Sequence, residues 1–241
     1  MKILGKLKRY VFPSDILEPS IDYHKSSYSQ TGEDVIVDFI FEQLKINKPT
    51  FLDIGAHHPF YINNTFLFYK KGFYGVNIEP DPLLIRAFEK YRPNDKNLNI
   101  GIGFLDDTQE ADFYLMSVKT LNTFLKEEAQ KYQSSGAHKI EEVIKVPLVS
   151  CNKIIELYFG ATAPNFVSID VEGLDFEIIK SFDFKKFRPE IFCIETLTYS
   201  ENNSEKKLNN IINYVCSKDY MIFADTYINT IFVDKVSWQK R

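Results

Sequence analysis

Two carboxylates, Asp53 and Glu79, each follow an apolar run of this chain. The turn after Asp53 contains Gly55, and Glu79 with Pro80 ends the second run, at 75–78, about one strand–helix–strand unit later. An acid at the end of two successive parallel strands, with a glycine in the first turn, is typical of nucleoside cofactor binding. These residues therefore predict a βαβ unit that holds a nucleoside.

The turn after Asp53 is unsuited to a pyrophosphate. Phosphate-binding turns use several glycines so that the backbone can approach the phosphate, but here Gly55 is followed by His57, His58 and a proline. S-adenosylmethionine has no phosphate, and its ribose hydroxyls need an acceptor, which Glu79 supplies through charge-assisted hydrogen bonds. We therefore expect S-adenosylmethionine rather than NAD or FAD, with Asp53 near its amino group and sulfonium.

The composition fits one α/β domain that handles a small molecule. The chain has 241 residues, of which 44% are hydrophobic, and no low-complexity linker divides it. Its net charge of −4 at pH 7 argues against nucleic acid as a partner. The basic segment 1–10 lacks the apolar core of a signal peptide, and no run of about 18 apolar residues occurs. We therefore expect a cytoplasmic protein without stable membrane insertion, and the oligomeric state stays open.

Alternating strand and helix patterns predict a doubly wound parallel sheet. Short apolar runs alternate with segments whose apolar residues recur at helical spacing. The expected strands lie at 50–54, 73–79, 97–102, 166–170 and 190–195. The expected helices lie at 33–46, 61–71, 82–91, 151–159, 173–181 and 204–218. Residues 220–233 predict two further strands around a short turn, so an antiparallel pair should close one edge of the sheet.

Residues 104–150 break this alternation. They contain strand-like stretches at 111–116 and 143–149, with an amphipathic stretch at 121–132 between them. A segment of this length on an α/β scaffold is either a lid or substrate loop or an ordinary surface excursion. We predict that it contributes to acceptor selectivity rather than to cofactor affinity.

A second acidic group follows the strand at 166–170. Asp170, Glu172 and Asp175 lie where this strand gives way to a helix, and Glu195 ends the next strand. If the two strands are neighbours, Asp170 and Glu195 converge at the carboxyl edge of the sheet, where ligands bind. Two close, buried carboxylates repel each other unless a proton or a cation intervenes. The cation is a divalent metal, a lysine or the sulfonium of the cofactor.

Methyl transfer to a hydroxyl needs a base, or a metal, to remove the hydroxyl proton. The candidates in this chain are Asp170, Glu172, Glu195, His57 and His58. Acids such as Glu172 also occur at helix N-termini for electrostatic reasons alone, and histidines such as His58 also occur in loops as hydrogen-bonding residues. The residue types alone leave the identity of the base open.

Several short motifs occur in order between residues 29 and 200. They are Ser-Gln-Thr-Gly-Glu-Asp at 29–34, Leu-Asp-Ile-Gly-Ala-His-His-Pro-Phe at 52–60, Asn-Thr at 64–65 with Phe-Tyr-Lys-Lys-Gly at 68–72, Asn-Ile-Glu-Pro-Asp-Pro at 77–82, Ser-Ile-Asp-Val-Glu-Gly-Leu-Asp at 168–175, and Arg-Pro at 188–189 leading to Ile-Glu at 194–195. This series resembles the FkbM-type S-adenosylmethionine-dependent methyltransferases. The two histidines of the second motif depart from the Asp-x-Gly-Ala-Asn-x-Gly form that is common in the family.

The resemblance implies the class I methyltransferase fold, a Rossmann-like α/β sheet of seven strands in the order 3-2-1-4-5-7-6. We place one domain at 29–241, after an N-terminal extension at 1–28, with 104–150 as its substrate or lid segment. The predicted cofactor contacts are Gln30, Glu33, Asp53, Gly55, Ala56, His57, Glu79, Pro80 and Asp170. The predicted catalytic residues are Asp170, Glu172 and His58, and the candidate ligands of a divalent metal are Asp170 and Glu195.

The expected activity is O-methylation by S-adenosylmethionine. The expected acceptor is a hydroxyl of a sugar, a nucleotide sugar or a surface-polysaccharide precursor, as the resemblance implies. Two alternatives stay open: an enzyme of the same fold that methylates a nitrogen or a carboxylate of another small molecule, and a non-catalytic nucleoside-binding module. Fold alone does not decide among them.

Overall fold

The structure is a computed structural model that describes residues 24–241 except 105–108, 161, 172 and 199–203. Most of the expected N-terminal extension and the predicted catalytic residue Glu172 therefore lie outside the described residues. In the part of the chain that is described, no helix is both long enough and apolar enough to cross a membrane.

The described residues form both strands and helices, numbered here in chain order. The strands are β1 Phe51–Ile54, β2 Val76–Ile78, β3 Lys96–Leu98, β4 Gly101–Gly103, β5 Gln109–Met116, β6 Ile140–Ser150, β7 Phe166–Ile169, β8 Ile191–Glu195, β9 Tyr220–Asp225 and β10 Asn229–Asp234. The helices are α1 Glu33–Gln43, α2 Phe66–Lys70, α3 Pro82–Tyr91, α4 Lys126–Ser134, α5 Cys151–Phe159, α6 Asp175–Ser181, α7 Asn209–Ser217 and α8 Lys235–Gln239.

Seven strands form the central sheet in the order β3-β2-β1-β7-β8-β10-β9. The first five of these run parallel to one another, and β10 is antiparallel to both β8 and β9. When only these seven strands are counted along the chain, the order becomes 3-2-1-4-5-7-6. The predicted fold class and the antiparallel C-terminal pair are therefore confirmed.

Both faces of the sheet are covered by helices. Successive residues of a strand point to opposite faces, and in β1 Phe51 packs in one apolar cluster with Val37 and Phe41 of α1. Leu52 packs in the other cluster, which includes Ile154 of α5. The two layers hold the strands on a rigid frame, and the loops at the carboxyl ends of the strands are positioned by it.

The prediction of one strand at 97–102 is wrong. The chain leaves the central sheet after Leu98, because Asn99 Nδ2 donates hydrogen bonds to the carbonyl oxygens of Glu79 and Pro80, at 2.9 and 2.8 Å. The following residues form β4, which belongs to a different sheet. One apolar run in the sequence thus serves two sheets.

Residues 104–150 contribute most of this second sheet, whose strand order is β4-β6-β5. β5 and β6 form an antiparallel ladder, and α4 lies in the connection between them. A Cβ at Gly101 of β4 would overlap the ring of Phe124, so glycine permits this close approach. The segment is therefore an extension of the fold with secondary structure of its own.

Two helices begin five residues later than predicted. α2 begins at Phe66 rather than at residue 61, and α7 begins at Asn209 rather than at residue 204. Before α2, the polar side chain of Asn63 donates a hydrogen bond to the Ala56 carbonyl oxygen at 3.0 Å. This bond keeps the preceding residues in a loop that folds back over the end of β1.

Candidate functional site

A pocket of about 500 Å³ lies at the carboxyl ends of the parallel strands. This volume is within the range of about 300–1,000 Å³ that is typical of small-molecule sites. Most of the predicted site residues line it, namely Gln30, Asp53, Gly55, Ala56, His57, Glu79, Pro80, Asp170 and Glu195. The described lining residues do not include Glu33 or His58, and Glu172 lies outside the description.

The carboxylate of Glu79 is held in place by two backbone donors. The N–H groups of His57 and Asp81 donate to its two oxygens, each at 2.8 Å. Burial raises the pKa of Glu79 to about 8, although both of these hydrogen bonds lower it. A ligand that donates hydrogen bonds to Glu79 therefore binds best to the ionised carboxylate. Below about pH 8, where the carboxyl group is protonated, binding of such a ligand releases the proton.

Asp53 connects the pocket to a buried polar network. Thr65 Oγ1 donates to Asp53 Oδ2 at 2.7 Å, and Asn63 Nδ2 donates to the same oxygen at 3.2 Å. Burial raises the pKa of Asp53, whereas the bond from Thr65 and the charge of Arg92 lower it. The carboxylate is thus fixed in one orientation before any ligand arrives.

Arg92 is the cationic centre of this network and is fully buried. Its Nε donates to Asp95 Oδ2 at 2.7 Å. Its two terminal nitrogens donate to Asn63 Oδ1 and Thr65 Oγ1, each at 3.0 Å. Because Asn63 and Thr65 both bind Asp53, Arg92 acts on the pocket through them. The sequence analysis missed Arg92, and its position just after α3 carries no sequence signal for this role.

Gly55 lets the loops after β1 and β7 meet. It has a φ of 76°, in the left-handed region that glycine adopts most readily. Its N–H donates to the Ile78 carbonyl oxygen at 3.1 Å. A Cβ at this position would overlap the carbonyl oxygen of Asp170. The fold itself therefore needs glycine here, in addition to any requirement of a ligand.

We expect Gly55→Ala to lower the free energy of unfolding by about 2–5 kcal/mol, from the strain of a non-glycine residue at positive φ plus overpacking against Asp170. Urea unfolding measures the loss. Gly72→Ala is the matched control, since Gly72 has a φ of 85° and open space around a new Cβ. An equal loss in the two variants would show that the overlap with Asp170 contributes nothing.

Asp170 follows β7 and Glu195 ends the neighbouring strand β8, as the sequence analysis expects. Ile169 pairs with Ile194 in the parallel ladder of β7 and β8, so the next residues along this ladder are Asp170 and Glu195. Both line the pocket. The structure thus brings the two acids to one edge of the sheet.

The pKa of Asp170 is raised by burial, and further by repulsion from Asp175 and Asp53. Asp175 itself accepts hydrogen bonds from the backbone N–H groups of Val171 at 3.1 Å and Gly173 at 3.3 Å, so it stabilises the turn after β7. A carboxyl group with a raised pKa takes up a proton more readily near neutral pH. This property suits a general base.

Asp170 and Glu195 alone do not make a complete metal-ligand set. Among the residues that the structure describes, no group of three or more His, Cys, Asp or Glu side chains is placed to hold a metal ion. A divalent metal at this site therefore stays a prediction, which a chelator tests.

The two histidines of the loop after β1 have different surroundings. His57 lines the pocket, has a φ of 53° and has its pKa lowered, first by burial and then by His58, so it is neutral at pH 7. The ring of His58 packs edge-on against Phe60, with centroids 4.5 Å apart. The predicted catalytic role of His58 therefore finds no support in its placement, and His57 is the histidine that reaches the pocket.

Glu33, a predicted cofactor contact, instead links two segments of the protein. Its carboxylate accepts hydrogen bonds from the backbone N–H of Thr31 at 2.9 Å, from Thr226 Oγ1 at 2.7 Å and from Asn229 Nδ2 at 3.0 Å. It ties the turn before α1 to the turn between β9 and β10. Gln30, from the same motif, is the residue that lines the pocket.

The sequence matches the methyltransferase FkbM domain over residues 53–222, which is more than half of the chain. The chain belongs to the FkbM methyltransferase family. A comparison with curated proteins gives no match. The matched range contains Asp53, Glu79, Asp170 and Glu195.

Three solved structures show weak likeness to this FkbM domain. Monomeric WbdD is 11% identical, with a TM-score of 0.44, and the match covers 94% of this chain and 45% of WbdD, so the chain spans less than half of that protein. A provisionally assigned caffeoyl-CoA O-methyltransferase from Staphylococcus aureus is 8% identical over 87% of this chain and 85% of that one, with a TM-score of 0.43. Magnesium protoporphyrin IX methyltransferase from Synechocystis, solved with bound S-adenosylmethionine, is 10% identical with the same coverages and a TM-score of 0.36. The family assignment rests on the sequence match alone.

One end of the FkbM pocket is formed by residues that the sequence analysis missed. They are Leu197, Thr198, Glu205, Tyr227 and Ile228. The strand order β2-β1-β7-β8-β10 places Glu79, after β2, and Tyr227, before β10, at opposite ends of the row, with Asp170 between them. Tyr227 lies outside the matched range of the family. Only the short turn between two predicted strands marks this position in the sequence.

The segment 104–150 reaches the pocket at the other end. Its lining residues are Phe113, Lys119, Thr120, Leu121, Asn122 and Phe124. Asn122 Nδ2 donates to Asp81 Oδ2 at 3.1 Å, two residues after Glu79. This bond places the segment beside the Glu79 end of the pocket, and its role in acceptor selectivity stays a prediction.

Proposed function

We propose that this protein is a cytoplasmic S-adenosylmethionine-dependent O-methyltransferase whose acceptor is a hydroxyl of a sugar, in a nucleotide sugar or a surface-polysaccharide precursor. Membership of the FkbM family supports methyl transfer. The observation that carries the proposal is the row of acids in one pocket: Glu79 at one end and Asp170 near the middle, on either side of the Gly55 turn.

The Glu79 end of the pocket fits the nucleoside of S-adenosylmethionine. Each oxygen of Glu79 accepts one backbone N–H and keeps a second lone pair free to accept from a ribose hydroxyl. Ionised acceptors make the stronger hydrogen bonds. Asp53, fixed by Thr65 and Asn63, faces the same pocket and suits the amino group of the methionyl part.

Bound S-adenosylmethionine would supply an electrophilic methyl group on a sulfonium. Asp170 would accept the proton of the acceptor hydroxyl, because it is a carboxylate with raised pKa in the middle of the pocket. Neutral His57 is the alternative base that lines the pocket. The carbonyl of Asp170 packs against Gly55, which fixes the backbone of the proposed base relative to the cofactor turn.

The experiment is a screen for release of S-adenosylhomocysteine with sugars, nucleotide sugars, glycan precursors, small amines and small carboxylic acids, run with and without EDTA. We expect release with at least one hydroxyl acceptor. Release only with amines or carboxylates would contradict O-methylation. Binding of S-adenosylhomocysteine without turnover on any acceptor would favour a non-catalytic nucleoside-binding module. Full activity in EDTA would reject the metal, and inhibition that added Mg²⁺ reverses would support it.

The raised pKa of Glu79 predicts a pH dependence of cofactor binding. In the ligand-free protein, protonated Glu79 contributes stability that is present below about pH 4.5 and is lost as the pH rises through about 8. Ribose hydroxyls favour the ionised form, so affinity for S-adenosylhomocysteine should rise from pH 6 towards pH 8 and level off above it. Calorimetry in buffers of different ionisation enthalpy should detect proton release at pH 7. An equal pH slope in Glu79→Gln would assign the effect to another group.

A further inference from the structure

Tyr227 lines the pocket from the turn between β9 and β10, and its own polar groups are held by hydrogen bonds. Its backbone N–H donates to Asp225 Oδ1 at 2.8 Å, and its carbonyl oxygen accepts from Lys207 Nζ at 2.8 Å. Its hydroxyl donates to Glu205 Oε1 at 2.8 Å. Tyr227 as a residue is nevertheless 60% exposed, and both Tyr227 and Glu205 line the pocket. An anchored but uncovered aromatic ring is available to a ligand.

The backbone conformation of Tyr227 also favours a ligand-binding role. Its φ of 76° lies in the left-handed region, which a bulky side chain rarely adopts. Such conformations persist where the surroundings over-determine them, often at ligand-binding positions. Here the surroundings include Glu33, which accepts hydrogen bonds from Thr226 and Asn229 on both sides of the tyrosine.

The charges of the pocket lining limit the chemistry of the acceptor. The described lining residues include the acids Asp53, Glu79, Asp170, Glu195 and Glu205, and the single cation among them is Lys119. Lys119 belongs to the segment on the Glu79 side and is paired with Glu141 at 3.2 Å. Hydrogen bonds, one of them from Tyr227, lower the pKa of Glu205, so this end of the pocket carries a negative charge that repels phosphate and pyrophosphate groups. Carboxylates do, however, accept hydrogen bonds from neutral hydroxyls.

We propose that Tyr227 and Glu205 form the acceptor-binding wall and that the acceptor is an uncharged pyranose, with one sugar face against the ring of Tyr227 and a hydroxyl donating to Glu205. The C–H groups of a sugar face are weakly positive and match the negative face of an aromatic ring. The proposal rests on the proposed function and narrows it from sugars in general to neutral sugars. Asp170 lies between Glu79 and Tyr227 along the row of strands. A sugar held by Tyr227 would therefore place its reacting hydroxyl between Tyr227 and a cofactor held by Glu79.

The test is direct binding with chosen probes in the presence of saturating S-adenosylhomocysteine. The probes are the methyl glycosides of glucose, mannose, galactose and rhamnose, with glucose 1-phosphate as the charged counterpart, and saturation-transfer NMR gives the affinities. We expect at least one glycoside to bind more tightly than glucose 1-phosphate. Tyr227→Ala should weaken that binding about fivefold, and Tyr227→Phe should retain most of it because the ring remains.

Tyr74→Ala is the matched control and should leave binding unchanged. Tyr74 is 46% exposed and precedes β2, at the opposite edge of the sheet from the pocket. Stronger binding of glucose 1-phosphate than of every glycoside, or equal glycoside affinity in wild type and Tyr227→Ala, would overturn the inference. Failure of S-adenosylhomocysteine itself to bind would instead count against the proposed function, so the two failures are distinguishable.

Discussion

Asp170→Asn is expected to abolish methyl transfer, with kcat lowered by about 10²–10⁴-fold, the usual contribution of a general base. The substitution keeps the size of the side chain and removes its ability to take up the hydroxyl proton. Affinity for S-adenosylhomocysteine should be retained, because this product lacks the sulfonium charge that would attract the carboxylate. Single-turnover kinetics and calorimetry measure the two quantities separately.

The wild-type pH profile supplies an independent check on this assignment. Burial and Asp175 raise the pKa of Asp170, so the base should be lost by protonation at a higher pH than for an ordinary aspartate. Turnover should fall as the pH drops below neutrality. Full activity in Asp170→Asn would remove Asp170 from the mechanism and leave His57 as the lining residue to test next.

Glu79→Gln should weaken binding of S-adenosylhomocysteine by about 10–100-fold, because a hydrogen bond to a charged group contributes about 1.5–3 kcal/mol. Glutamine keeps one carbonyl oxygen for one of the two backbone N–H groups, those of His57 and Asp81, whereas Glu79→Ala would leave both without an acceptor. Glutamine is therefore the variant with the smaller effect on the fold. Calorimetry measures the affinity, and thermal unfolding reports any loss of stability.

Glu190→Gln is the control for removal of a partly buried acid. Glu190 accepts a hydrogen bond from Asn165 Nδ2 at 3.2 Å, has its pKa raised by burial and directly precedes β8, at the edge of the sheet away from the pocket. The affinity of the Glu190→Gln variant for S-adenosylhomocysteine should equal that of the wild type. Wild-type affinity in Glu79→Gln as well would exclude Glu79 from the cofactor site.

The frame of the site is predictable from sequence because it depends on local patterns. Apolar runs that end in Asp53, Glu79, Asp170 and Glu195 identify parallel strands and their carboxyl ends, and parallel strands in such a sheet bring those ends together. The register of β7 and β8 follows from the same regularity. The seven-stranded order, which the family resemblance implies, is confirmed.

The supporting residues are not predictable in this way, because their roles depend on contacts between distant segments. Arg92 is recognisable as part of the site only once its bonds to Asn63 and Thr65 are visible. Glu33 lies in a recognised motif, yet its partners Thr226 and Asn229 come from the far end of the chain. Charged side chains are solvated more often than buried, so sequence alone gives no reason to prefer such roles.

The split between β3 and β4 has a similar cause. The run at 97–102 reads as one strand, but Asn99 binds the backbone carbonyls of Glu79 and Pro80 and turns the chain away. An asparagine in an apolar run is compatible with both outcomes. Only the position of its tertiary acceptors decides between them.

The most direct test of the proposed cofactor site is the structure of the protein with S-adenosylhomocysteine bound. We expect the two ribose hydroxyls to lie at hydrogen-bond distance, about 2.7 Å, from the Glu79 carboxylate. We also expect the sulfur to lie in the same pocket, on the side that faces Asp170. A ribose bound away from Glu79, or a ligand outside this pocket, would contradict the assignment of Glu79 and this pocket to cofactor binding.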